Sequence, residues 1–201
     1  MGAIIAVCLF APLMLLVAIA VALSSPGPII FKQKRLGIGG RPFTFYKFRS
    51  MRVANDDGIH RAFVTSLIKG EQGSIDQAAV AKPVYKIQSD PRVTRVGKFI
   101  RKSSLDELPQ FFNVLLGDMS LVGPRPPLPY EAVNYQSWHL RRIQTVKPGI
   151  TGLWQVEGRS RVSFEEMVRM DLRYIRQCSL LLDLKILLKT IKVVALCEGA
   201  T

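Results

Sequence analysis

The chain has 201 residues, 48% of them hydrophobic, with 28 Lys plus Arg against 15 Asp plus Glu and a formal net charge of +13. That length builds one domain with a real core, and the aliphatic content excludes a disordered chain. No charge occurs before Lys32, so the whole imbalance lies behind an apolar leader and points to an anionic partner: a membrane surface, a phosphate-rich substrate or nucleic acid.

Ala3 to Leu23 carries no charge, and as a helix it would extend roughly 31 Å, the thickness of a bilayer core. A signal peptide fits poorly, because no Lys or Arg precedes the run. Pro12 removes a backbone hydrogen bond in mid-run and predicts a kink. A kinked helix could dip into one leaflet and return, but the residues alone favour a full span. Lys32, Lys34 and Arg35 place the body of the chain on the cytoplasmic side in either case.

Ile29 to Arg35 and Phe43 to Phe48 are rich in β-formers and flank Gly37-Ile38-Gly39-Gly40, which predicts a hairpin. Val53 to Ile87 reads as an insertion with one short helix over Ala62 to Ile68. Helices are predicted over Thr94 to Lys102, Leu108 to Leu116, Glu131 to Thr145, Phe164 to Gln177 and Leu180 to Leu196. In the last, Lys185, Lys189 and Lys192 share one face while Leu184, Leu187, Leu188 and Ile191 line another. That pattern suits either a membrane interface or a core helix with a solvated lysine stripe. Cys8, Cys178 and Cys197 have no metal-ligand spacing and read as reduced packing residues.

Chemistry concentrates in Ser103-Ser104-Leu105-Asp106-Glu107-Leu108-Pro109-Gln110. Ser104 and Glu107 fit a capping box, yet Pro109 then falls where it disturbs the helix that the box should start. Such local conflict tends to mark functional sites. A carboxylate near a helix start can act as a nucleophile or a magnesium ligand. Pro124, Pro126 and Pro127 stiffen the backbone around Arg125, which suits bidentate phosphate recognition. The glycine-punctuated run from Lys147 to Ser160 could bring backbone amides and Arg159 to a pyrophosphate. On a strand, Lys47 and Arg49 would share one face, with Tyr46 and Phe48 on the other. Asp171 and Tyr174 lie one turn apart on a helix, as do Asp183 and Leu187. His60 and His139 have no obvious partners and read as non-catalytic. No nucleic-acid motif occurs and the basic residues are spread along the chain, so nucleic acid is not the expected partner.

The segments PGPIIFKQKRLG, FYKFRSM, SDPRVTRVGKFIRKSSLDELPQFFNVLLGDMSLVGPRP, KPGITGLWQVEGRS and LDLKILLKT resemble the bacterial sugar transferases, the monotopic polyprenyl-phosphate phosphoglycosyl transferases, from about Pro26 to Thr190. The resemblance implies an α+β fold, mostly helical: a re-entrant membrane helix, a small β-hairpin and interfacial amphipathic helices around a cytoplasmic catalytic domain. Residues 1–25 would be the anchor and 26–201 the catalytic domain, at the bacterial inner membrane. Pro12 then marks the break of a re-entrant helix rather than a kink in a span. The implied partners are a UDP-sugar donor, undecaprenyl or another polyprenyl phosphate as acceptor, membrane lipids and Mg²⁺, with a homodimer left open. By the same match Asp106 is the nucleophile and touches the magnesium, with Glu107 beside it. Lys47, Arg125, Arg159, Asp171 and Asp183 fall on further motif positions, where phosphate and nucleotide contacts suit the cations best. Exopolysaccharide or O-antigen assembly is the pathway the resemblance suggests. Rival readings are direct transfer without an intermediate and a non-catalytic module that binds anionic lipid. Ala11 stands where many members have Ser. A basic pair and an Asp that usually precede the apolar helix do not appear, so a trimmed form or the catalytic end of a larger protein is expected.

Overall fold

The computed structural model describes residues 2–52, 65, 68, 92–158 and 162–196. Most are helical, around two small two-stranded sheets. The apolar leader is a helix, α1, over Gly2–Ser24. Strands β1 (Ile30–Leu36) and β2 (Pro42–Phe48) pair antiparallel from Ile30↔Phe48 to Leu36↔Pro42, as the hairpin reading predicts. Gly39 (φ 66°) and Gly40 (φ 74°) make the reversal, a backbone that L side chains rarely take.

Helix α2 (Arg95–Lys102) starts at Thr94, whose hydroxyl accepts from the Gly97 amide at 2.9 Å. A Cβ at Gly97 would lie 1.9 Å from the Ser50 carbonyl oxygen, so only glycine lets α2 close onto the end of the hairpin. A 3₁₀ turn over Leu105–Glu107 leads into α3 (Gln110–Leu115), and β3 (Ser120–Val122) comes next. The single helix expected over Glu131 to Thr145 is instead three pieces: α4 (Pro129–Val133), α5 (Ser137–Leu140) and a 3₁₀ turn over Arg141–Ile143. Gln136 is extended between the first two, so the chain turns there and buries His139 and Arg142. Strand β4 (Gly149–Thr151) pairs parallel with β3, Ser120↔Gly149 and Val122↔Thr151, where the sequence suggests a glycine loop. Helices α6 (Leu153–Glu157), α7 (Phe164–Gln177) and α8 (Leu180–Ala195) complete the fold. Ser163 and Glu166 form a reciprocal capping box on α7.

Helix α1 touches the body at both ends. Gly2 lies against Leu121, Phe10 stacks on Phe111 with ring centroids 6.1 Å apart, and Val17 and Val21 join Phe48 and Ile100 in one core cluster. The Arg49 guanidinium donates to the carbonyl of Val21, in the last turn of α1, and to those of Ser25 and Pro26 just beyond it, at the end where the helix dipole favours a cation. The outward face of α1 keeps Ile5, Leu9, Leu16 and Leu23 exposed. On α8 the core-facing residue is Ile186, whereas Leu184, Leu188 and Ile191 are exposed beside the lysines. The free thiols of Cys8 and Cys178 are exposed, not packed. Of the helix expected over Ala62 to Ile68, Thr65 and Ile68 are described and are helical.

Candidate functional site

The Asp106 turn rests on a strained residue. Ser104 has φ 58°, the one positive-φ non-glycine among the described residues. A serine in that region costs of order 1–3 kcal/mol and persists only where its surroundings impose it. The Ser104–Glu107 capping box does not form: the Ser104 side chain makes no capping hydrogen bond, and Pro109 is the N-cap of α3. The Glu107 carboxylate turns instead to β2 and accepts from Lys47 Nζ at 2.6 Å. Asp106 Oδ2 stands 3.8 Å from the same ammonium.

One lysine therefore faces two adjacent carboxylates in a pocket that is still partly open. The side chains of Lys47, Asp106 and Glu107 are 20%, 10% and 31% exposed. Asn113 fixes the spacing. Its side-chain amide donates to the Thr44 carbonyl at 2.7 Å, and its oxygen accepts from the Tyr46 amide at 3.1 Å, which locks α3 onto the free edge of β2. Asp106, Gln110 and Asn113 recur at helical spacing and are all buried, so a polar stripe runs along this contact. Sequence reasoning misses Asn113, although an Asn amid the apolar residues of a short helix is the signal that finds it.

Arg125 is exposed between buried prolines. Each carbonyl around it is engaged. Pro124 accepts from the Gly149 amide (2.9 Å), Arg125 from Arg142 Nη2 (3.2 Å), Pro126 from Arg35 Nη1 (2.7 Å) and Pro127 from the Leu36 amide (3.0 Å). Backbone pinned on both sides leaves only the Arg125 side chain to move. The sequence makes Arg35 a charge that orients the leader, yet the residue is buried. It lies 4.9 Å over the Phe45 ring and donates through Nε and Nη2 to Gln33 Oε1. Burial lowers its pKa to about 10; the charge of Arg125 pushes the same way and those of Glu131 and Glu107 oppose. Arg35 thus stands in the fields of both Arg125 and Glu107, the acid that Lys47 holds. The strand alternation holds for Tyr46 and Phe48, but Arg49 lies beyond β2 and caps α1.

Asp171 and Asp183 stand apart from this cluster. Asp171 is 1% exposed on α7 and pairs with Arg142 at 2.6 Å. Burial raises its pKa to about 6, with Arg142 pulling it back down. Asp183, in the first turn of α8, accepts from the Tyr174 hydroxyl at 2.8 Å and ties α8 to α7. His139 sits among Tyr135, Trp138 and Phe164, with Nδ1 accepting from the Gln136 amide; burial lowers its pKa. Arg159, His60 and Cys197 lie outside the described residues.

The donor set admits a hard cation. Among the described residues no group of three or more His, Cys, Asp or Glu side chains forms a cage. Magnesium needs none, because one or two carboxylates plus phosphate oxygens are its usual company, and Asp106 and Glu107 are the carboxylates that could supply them.

The model of the bacterial sugar transferase family matches residues 1–197. The chain is 49% identical over 175 residues to the galactosyl transferase CpsE of Streptococcus agalactiae serotype III, covering 87% of this chain and 36% of that protein. It is 44% identical over 186 residues to a UDP-glucose:undecaprenyl-phosphate glucose-1-phosphate transferase of Xanthomonas campestris pv. campestris, covering 89% of this chain and 34% of that protein. It is 38% identical over 200 residues to the exopolysaccharide production protein ExoY of Rhizobium meliloti, covering 100% of this chain and 84% of that protein. The chain thus spans about a third of the length of the first two relatives and most of the third.

Proposed function

The chain belongs to the bacterial sugar transferase family, and from that premise we propose that it transfers a sugar-1-phosphate from a UDP-sugar to polyprenyl phosphate, releasing UMP. The observation that carries the reading is Asp106 on a strained turn, with Lys47 shared between it and Glu107. Its setting beside an apolar helix suits an acceptor that stays in the bilayer. The name of the Xanthomonas campestris relative, a UDP-glucose:undecaprenyl-phosphate glucose-1-phosphate transferase, points the same way.

The Asp106 carboxylate attacks the sugar-bearing phosphorus of the donor. The bond from that phosphorus to the bridging oxygen breaks, and the oxygen leaves with UMP. An acyl phosphate of the sugar remains on Asp106. An oxygen of the polyprenyl phosphate then attacks the same phosphorus, the acyl–phosphate bond breaks, and Asp106 is restored. One pyrophosphate bond is lost and one gained, so the sequence runs near equilibrium. Lys47 and Arg125 offset charge on the two donor phosphates, and Arg35 holds the Arg125 loop in place. Magnesium, bound by Asp106 with Glu107 beside it, would supply further charge neutralisation on the diphosphate. Asp171 and Asp183 act by positioning: one through Arg142 on the Arg125 loop, the other on α8.

Helix α1 is re-entrant in this reading. A span would carry its first residues roughly 30 Å from the body. Gly2 against Leu121 and Phe10 on Phe111 support a helix that enters one leaflet and stays with its domain. The body then faces the cytoplasm at the inner membrane, and the product would be the first lipid-linked intermediate of a glycan such as an exopolysaccharide. A rapid-quench experiment tests the chemistry. Donor alone should release up to one equivalent of UMP per site and leave a phospho-sugar mass on the Asp106 peptide, discharged by polyprenyl phosphate. No UMP and no adduct, with a donor that supports turnover, leaves direct transfer as the mechanism.

A further inference from the structure

A groove of about 510 Å³ runs between α1 and α2 and does not belong to the charged cluster. Leu13 and Leu16 form one wall, Val96 and Phe99 the other, and Leu105 closes the inner end. Among the described residues that line it, Arg95 alone is charged. It sits at the first residue of α2, whereas Leu105 comes after the last turn of that helix. The groove therefore has a polarity. Its inner end is one residue from Asp106, and its outer end carries the cation.

Both walls are continuous with exposed apolar surface. Leu16 and Phe99 are each 65% exposed, and Leu9 lies exposed on the same helix as Leu16. A soluble ligand would not be drawn to such a lining, while an apolar chain already in the bilayer meets no polar barrier on entry. The groove is thus open sideways to whatever surrounds α1, and its inner end is Leu105, the residue before Asp106 in the chain. A donor nucleotide, polar throughout, does not match it; the chain of the acceptor does.

We infer that this groove holds the isoprenoid chain of the acceptor, with its phosphate at the Asp106 end and the chain running outward between α1 and α2. The inference rests on the proposed reaction and adds the place where the lipid half of the substrate binds. The α1–α2 contact is then a substrate wall as well as an anchor. Arg95, at the outer edge, takes no part in the assignment.

The test uses the full chain in nanodiscs, with a polyprenyl phosphate that carries a diazirine in the isoprene unit next to the phosphate. Adducts should map to Leu13–Ala20 and to Arg95–Leu105, and undecaprenyl phosphate should compete them away. Adducts confined to the exposed stripe of α8 overturn the inference. So does equal labelling by a diazirine phosphatidylethanolamine that undecaprenyl phosphate fails to displace, since the groove would then hold ordinary lipid. In kinetics, Leu16→Trp and Val96→Trp fill the groove. They should raise KM for undecaprenyl phosphate about tenfold and for geranyl phosphate less than about twofold. Leu23→Trp, on the exposed side of α1, should change neither. Equal effects on both acceptors, or none, also overturn it. Absence of UMP release by the unmutated chain with every UDP-sugar would instead count against the proposed reaction and leave the groove's occupancy to the labelling.

Discussion

Among the described residues, two cation–carboxylate contacts, Arg142 with Asp171 and Lys47 with Asp106 and Glu107, are built in opposite ways. Arg142 and Asp171 are 2% and 1% exposed, one guanidinium on one carboxylate at 2.6 Å. Lys47 faces Asp106 and Glu107 with side chains 10% to 31% exposed, a single ammonium between two acids. The closed pair has no room for a ligand, and its further bond goes to the Arg125 carbonyl. The open one keeps an approach for a reactant. Burial, more than residue type, separates a closed ion pair from one that a ligand can reach.

The difference can be broken from the open side first. Asp106→Asn keeps the shape of the turn and should cut transfer by at least about 10³-fold with the melting temperature nearly unchanged, measured as UMP release and thermal unfolding in nanodiscs. A variant with near-normal turnover sinks the nucleophile assignment. On the closed side, Asp171→Leu strands a buried guanidinium and should lower the melting temperature by roughly 6–20 °C, from a cost of about 3–5 kcal/mol. Adding Arg142→Met should restore most of that loss, because a well-packed apolar pair replaces a desolvated ionic one. The restored protein should still be impaired in turnover, since the Arg125 carbonyl has lost its donor. Full recovery of both would show that the pair does not position Arg125. Lys47→Gln comes next, with about 10² lost in kcat/KM for the donor and little change in stability, the cost of one charged phosphate contact in a partly open site. An effect below about threefold would mean that Lys47 serves only to orient Glu107.

Local signals wrote the elements that the sequence makes readable. The hairpin follows from two β-rich runs around a Gly-Gly reversal, and α2, α7 and α8 begin at Thr94, Ser163 and Ser179, each of which caps its helix. The Asp106 turn is legible as a conflict: the Ser104 box and Pro109 cannot both be satisfied, and the chain resolves this by straining Ser104 and handing Glu107 to Lys47. The hidden part is non-local. Strands β3 and β4 have three residues each and pair only through the folded chain, with Gly123 and Gly149 allowing their backbones to close. The run from Glu131 to Thr145 has helix-forming residues, but it breaks at Gln136, and the 3₁₀ turn after α5 carries Arg142 onto Asp171. The burial of Arg35 could be inferred from its place on the hairpin face that carries Phe43 and Phe45; nothing in the neighbours of Arg142 marks it.

The smallest predicted effect concerns pH and comes from the closed pair alone. Asp171 has a native pKa of about 6, above the ordinary carboxylate value, because burial penalises its charge more than Arg142 relieves it. The native state therefore binds a proton more readily than the unfolded chain between about pH 4 and 6. The stability owed to this group is complete below that window and declines as pH rises through it. Activity should run the other way. Below about 6 the carboxyl is neutral, Arg142 loses its counter-charge, and its hold on the Arg125 carbonyl loosens; the remaining fields on Arg142, from Glu131 and Tyr135, are not centred on that bond. Turnover should fall by up to about tenfold across that limb, with no parallel drop in melting temperature from this group. Asp171→Asn is neutral at every pH and should start lower and lack the limb. If Asp171→Asn keeps an acidic limb of the same size and midpoint, the titrating group lies in the open cluster, and the closed pair is a support that does not report to the site.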